Sequence, residues 1–209
     1  MSVQVWGPGA LFTRPELKVE RMTYPVITPT AAVGVLESIF WKPEFTWVPV
    51  AVDVLAPIKQ FTQRRNETTD LASVSAALAG RRVDTAEHRT QRHAVCLKDV
   101  AYRIHAHVEL REHATANAAA YRAQFRRRVE RGQCFHQPYL GTREFSAYFG
   151  PSDEQEPIAV SSELGVMLHG VHHDSETNRV TFSWFDAELD NGRMLIPRTG
   201  KAVESPVGA

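Results

Sequence analysis

The stretch Leu17–Pro43, LKVERMTYPVITPTAAVGVLESIFWKP, carries a helix whose two ends are both written in residues. Thr28 can accept a backbone N–H bond at the start, and Pro29 falls at the first helical position, where its missing donor is harmless. Ala32, Val35, Leu36, Ile39 and Phe40 recur at helical spacing and make one apolar stripe. Pro43 disfavours helical geometry at Lys42, so the helix is expected to run that far and stop. Gly34 sits mid-helix at roughly 1 kcal/mol against alanine; either another backbone or a ligand approaches it closely, or the glycine is simply tolerated.

Strands flank this helix. Val3 and Val5 alternate with Gln4 ahead of Gly7-Pro8-Gly9, which predicts a short first strand and a turn. Val48, Val50, Val52 and Val54 form a β-branched row within Trp47–Leu55, a strand with at least one buried face, and Pro49 points to an edge or a strand start. The result is a βαβ unit. The clearest alternation follows at Val100–Leu110, with Val100, Tyr102, Ile104, Ala106 and Val108 on one face and Arg103, His105 and His107 on the other, a solvent-facing polar row. His105 and His107 have metal-ligand chemistry, but no third ligand is adjacent.

With 209 residues and 43% hydrophobic content, one compact domain with an appendage is expected. No run of about 18 apolar residues exists to cross a bilayer and the start lacks a signal-peptide layout, so a cytoplasmic protein without a membrane partner is expected. Cys96 and Cys134 cannot build a disulfide framework, and reduced thiols follow. The zero net charge hides an asymmetry: residues 81–131 hold 12 basic and 6 acidic side chains, and residues 132–209 hold 5 and 11. A basic middle suits a phosphate-rich partner; the alternative is that faces of opposite sign pack on each other.

Between Gln60 and Arg92 the apolar pattern fades into a polar stretch with scattered arginines. It reads as an irregular insertion that either grips nucleic acid or is plain surface loop. A second helix is predicted over Thr115–Arg131, with Tyr121, Phe125 and Val129 inward and Arg126-Arg127-Arg128 suited to bidentate phosphate contacts. Gly132–Phe145, GQCFHQPYLGTREF, is dense in groups that stack or hydrogen-bond, a composition suited to unpaired RNA bases. A Cys134–His136 nucleophilic pair has no third orienting residue in the sequence. Strands are expected around Val166–Leu168, Val180–Phe185 and Met194–Ile196, and His169, His172 and His173 fit a hairpin end better than a metal cluster.

Leu17–Pro43, Arg64-Arg65-Asn66-Glu67, Arg89–Lys98 and Gly132–Phe145 together resemble the Cas-five proteins of type I-C CRISPR systems, in the RAMP superfamily, over about residues 3–198. The resemblance implies an α+β fold: a ferredoxin-like, RRM-like β-α-β-β-α-β domain over residues 1–150, with an RNA-contacting insertion at about 60–92, and a small C-terminal β region over 151–209. It also implies a CRISPR RNA-binding subunit of an antiviral surveillance complex, seated beside backbone and large subunits and meeting target DNA through the assembly. The family cuts precursor CRISPR RNA without metal or cofactor, because the RNA's own 2′-hydroxyl is the nucleophile.

The resemblance implies that the catalytic tasks fall to a tyrosine or another residue at the end of the first helix and to a Lys-His pair early in the second. Here the matching positions are Phe40 and Ala120-Tyr121. Two expectations follow from this departure: RNA binding without cleavage, or cleavage by a changed set drawn from nearby groups such as His136, His105, Lys42 or Tyr121, with Tyr121 and His136 as the leading candidates. A third reading makes the chain chiefly a structural wedge between neighbours. The expected RNA contacts are Lys18, Arg21, Lys42, Arg64, Arg65, Arg92, Arg126, Arg127, Arg128, Phe135, His136 and Arg143, with no metal ligand.

Overall fold

The computed structural model describes residues 1–17, 19–69, 71–82, 85–174 and 179–203. Four strands and two helices carry the core: β1 (Ser2–Ala10), α1 (Pro29–Ile39), β3 (Phe45–Val54), β5 (Arg89–Leu110), α3 (Ala118–Glu130) and β6 (Tyr148–Gly150). Between them come β2 (Arg21–Met22), β4 (Lys59–Thr68) and α2 (Val74–Leu78). After them come β7 (Ser162–His173), β8 (Val180–Leu189), β9 (Arg193–Leu195) and β10 (Lys201–Val203). The main sheet runs β6-β1-β5-β3-β9, and the pairings among β6, β1, β5 and β3 are antiparallel. With the two helices on one face this is the ferredoxin-like arrangement. Strands β10-β8-β7 form a second small sheet, whose Met167, Leu168, Phe185 and Ala187 join the same core as the main sheet.

Alternation places Val3, Val5, Tyr102, Ile104 and Ala106 under the helices, where they meet Val35, Leu36 and Ile39 of α1 and Tyr121, Phe125 and Val129 of α3. The valine row of β3 is not one face. A bulge between Pro49 and Ala51 inserts a residue, so Phe45 and Trp47 face the core before it and Val52 and Val54 after it. Pro49 sits at that bulge, and β9 pairs with β3 only from Ala51 to Asp53, so the strand is flanked on both sides there.

Gly7-Pro8-Gly9 is no turn. Strand β1 passes straight through it, and Pro8 is skipped in the ladder opposite Asp99, whose φ is 50°. The glycines serve close packing: a Cβ on Gly7 would lie 3.0 Å from Leu140 Cδ1, and one on Gly9 2.7 Å from the Phe145 ring.

The insertion is also regular. Strand β4 pairs with the first half of β5 from Lys59↔Lys98 to Thr68↔Arg89, a projecting hairpin with the short α2 beyond it. Its sequence reads as loop because only its root is covered: Phe61, Ala94 and Cys96 pack with Leu11 and Phe145, and outward of these the positions are polar. Helix α1 stops at Ile39, three residues before Lys42, because Phe40 turns extended (φ −154°) to pack against Phe45, ring centroids 5.5 Å apart.

Candidate nucleic-acid interface

The last carbonyls of a helix lack intrahelical donors, and in α1 other elements supply them. Phe135 N–H donates to the Ser38 carbonyl (2.8 Å), Arg128 Nε to Ile39 (2.7 Å) and Trp47 Nε1 to Phe40 (2.8 Å). One helix end therefore fixes β3, α3 and the loop after α3 together. The Arg128 guanidinium also lies over the Phe135 ring at 4.3 Å. Helix α3 ends in a Schellman turn on Gly132 (φ 61°), with Gly132 N–H bonded to Val129 O and Gln133 N–H to Arg128 O, which launches the loop toward α1.

Ser38 sets the chemistry of His136. Its hydroxyl donates its only proton to the Gly34 carbonyl at 2.7 Å, so its oxygen can only accept from His136 Nε2, 2.9 Å away. The neutral ring thus carries its proton on Nε2 and leaves Nδ1 as a lone pair. His136 is exposed and lines a cavity of about 480 Å³ with Gln137, Tyr139 and Arg143. A second cavity of about 290 Å³ continues along α1 past Tyr139, Ser38, Gly34 and Thr28. Gly34 opens into it, with nothing within 4 Å of a built Cβ, so no other backbone approaches this glycine.

The same loop returns to the hairpin root. Glu144 pairs with Arg65 (2.8 Å), Phe145 meets Phe61 edge to face, and Glu67 pairs with Arg65 (3.8 Å) and Arg21 (3.6 Å). Arg92 stands opposite Arg65 in the ladder. Glu20, from the first motif block, accepts a bond from His93 N–H at 2.6 Å. All four blocks that carry the resemblance are in contact.

Among the described residues, Arg64, Arg92, Arg126, Arg127 and Arg143 have no acidic partner, and Arg126 and Arg127 are exposed on α3. Lys42 pairs with Glu44 at 3.5 Å and lies 5.7 Å from the Tyr121 ring centre. Lys18 lies outside the described residues.

Tyr121 is buried against Phe45 of β3 (5.1 Å between ring centres); no hydrogen bond or ring contact joins it to His136. With Phe40, Phe45, Trp47 and Phe125 it makes a buried aromatic cluster of tilted and edge-to-face rings. Glu44 beside it accepts from Thr115 Oγ1 at 2.6 Å, and that bond holds its carboxyl below the usual range, with lesser help from Tyr121 and Lys42.

Two groups escaped sequence reasoning. Ser38 is one; a hydroxyl on the buried side of an apolar helix was its only signal. The other is Asp53, a buried acid inside the valine row, whose carboxylate binds Arg193, Arg103 and His105. Arg103 and His105 therefore form an ion-pair cluster and not a free polar row. His169 and His172 flank Ser183 (3.4 and 3.1 Å) on the β7–β8 hairpin.

Comparison with known proteins identifies the family of the chain. Residues 1–195 match the family described as CRISPR-associated protein (Cas_Cas5). The chain is 46% identical to the CRISPR pre-crRNA endoribonuclease Cas5d of Thermus thermophilus over 169 residues, 80% of this chain and 71% of that one. It is 40% identical to the Cas5d of Mannheimia succiniciproducens, covering 93% of each. Its fold is similar to a crystal structure of a CRISPR-associated protein (TM-score 0.68, 23% identity, 95% of this chain and 91% of that one). It is also similar to a chain of a CRISPR RNA-guided surveillance complex (TM-score 0.51, 15% identity, 97% and 90%). The match over nearly the whole chain, together with relatives at 40% and 46% identity, means that this chain belongs to the Cas5d family of CRISPR-associated proteins.

Proposed function

We propose that this protein binds CRISPR RNA as a subunit of a type I surveillance complex in the cytoplasm. There it sits beside the backbone and large subunits and meets target DNA through the assembly. The observation that carries the reading is the junction at the end of α1, where Arg128 packs on Phe135 and the hydrogen-bonded pair Ser38 and His136 lines two cavities that share Tyr139. The exposed Phe135 ring and the Arg143 guanidinium, which has no acidic partner among the described residues, fit single-stranded RNA, whose bases are free to stack and whose phosphates attract arginine.

No helix among the described residues is long and apolar enough to cross a membrane. The test is to incubate the protein with end-labelled repeat-hairpin RNA in excess chelator and read native and denaturing gels. A shifted band is expected; no shift at micromolar protein would overturn the reading.

Cleavage is a second reading, favoured by His136. Where the family's Tyr and Lys-His are expected, this chain has Phe40 and Ala120, without exchangeable side-chain protons, and a buried Tyr121. Proton transfer at that position lacks its groups. His136 instead offers an Nδ1 lone pair that can take the proton of a 2′-hydroxyl, with Arg143 in the same cavity to balance charge on the phosphate. Product that persists in chelator and disappears in His136→Ala supports this reading. Product unchanged in that variant removes it.

A further inference from the structure

The sheet face turned away from the helices carries an uncovered aromatic pair. Trp6 of β1 and Tyr148 of β6 are direct ladder partners, stacked at 6.2 Å and 26°, and they remain 41% and 61% exposed. The indole also lies over Gly150, where an added Cβ would sit at ordinary van der Waals distance, 3.5 Å. The pair borders an open cavity of about 760 Å³ that Asp99, Asp153 and Gln4 also line.

Its charge is acidic. Asp99 has no ion pair among the described residues, and its left-handed φ of 50° accompanies the skipped pairing that breaks the ladder at this point. Asp153 is held in place by Arg103, which donates to its carbonyl (2.9 Å) and its carboxylate (3.4 Å). Glu154 and Glu156 follow on the same exposed segment.

We infer that this face docks an arginine-bearing segment of a protein partner. An exposed Trp–Tyr pair is the composition of an interface centre, not of bare surface. The faces of both rings attract a guanidinium, and the Asp99 carboxylate beside them, with no ion pair among the described residues, completes its hydrogen bonds. The carboxylates of this face repel phosphate, which separates this site in chemistry from the arginine-rich RNA junction. The inference does not depend on the RNA reading.

The test follows the four tryptophan indole N–H resonances by NMR, with the Trp6 signal assigned through Trp6→Phe. The probes are the blocked peptide Gly-Arg-Gly-Arg-Gly, its Glu counterpart, spermidine and oligouridylate. Asp99→Asn is the clean variant, because Asn tolerates the same positive φ. The arginine peptide is expected to move the Trp6 signal saturably, leave buried Trp47 still, and lose at least fivefold affinity in Asp99→Asn. A larger response to oligouridylate, an equal response to the Glu peptide or to spermidine, or unchanged affinity in Asp99→Asn would overturn the inference.

Discussion

Arg193 Nε lies 2.6 Å from Oδ1 of Asp53, and the same guanidinium closes a second bond of 3.1 Å on Oδ2, tying β9 to a carboxylate with no exposed surface. Burial alone would push the Asp53 carboxyl up. Hydrogen bonds from Arg193 and His105, with their charges, outweigh it and hold the pKa at about 2. Because the folded value lies below the ordinary 3.8, the stability it contributes is complete above that pH and is lost as pH falls toward 2. That contribution is about 2 kcal/mol. Urea unfolding at pH 7, 4 and 2.5 should show the drop between the last two, and Asp53→Asn should lose that part of the slope. Asp53→Ala, which leaves Arg193 and Arg103 without their shared anion, is expected to cost about 3 kcal/mol at pH 7.

The three consecutive arginines of α3 divide by role. Arg128 holds the Ile39 carbonyl and the Phe135 ring, so Arg128→Ala should destabilise by about 2 kcal/mol and loosen the loop. Arg126 and Arg127 point to solvent, and their double alanine variant should stay within about 0.5 kcal/mol of the parent. For RNA the order reverses in kind: the double variant should flatten the log-affinity against log-salt slope by about 0.7 for each lost phosphate contact. Chemical denaturation and filter binding at three salt concentrations separate the two effects.

What the sequence made legible was whatever depends on local period. The α1 start at Thr28 and Pro29, the inward face Tyr121–Phe125–Val129 and the alternation from Val100 all stand where spacing puts them. The losses have a common cause in long-range partners. The bulge at Pro49 reverses the face of β3 without a local signal, and the hairpin of β4 and β5 is polar because little covers it. Gly7 and Gly9 imitate a turn because a loop more than 130 residues later needs their missing side chains. At the junction, Phe135, His136 and Arg128 could be picked by residue type. Their relation to Ser38 could not, since it depends on which carbonyls α1 leaves open.

Two glycines at the junction should respond in opposite ways. Gly141 has φ +87°, and an added Cβ would collide with the Leu11 carbonyl, so Gly141→Ala is expected to cost more than about 3 kcal/mol. Gly34 is helical with open space around it, so Gly34→Ala should stabilise by about 1 kcal/mol. If RNA enters the cavity beside α1, that added methyl also lowers RNA affinity. A variant that melts later yet binds less tightly would locate the RNA there; equal affinity would exclude that cavity.

The Ser38 hydroxyl provides the most direct test of His136. In Ser38→Ala the Nε2 proton loses its acceptor, and the neutral ring should distribute between its two tautomers. The ¹⁵N shifts of His136 would report that change with or without RNA. The helix itself should survive, because the lost bond to Gly34 O is redundant with the backbone ladder. If His136 acts as a base through Nδ1, cleavage of repeat RNA in chelator should fall in Ser38→Ala, by about twofold from an even tautomer split, while RNA affinity changes little, since the misplaced tautomer presents a proton where a lone pair is needed. Ser38→Thr, which keeps the hydroxyl, should restore the parent tautomer. A parent protein that binds without cutting, with the same tautomer shift in Ser38→Ala, would assign His136 to holding RNA and not to reacting with it.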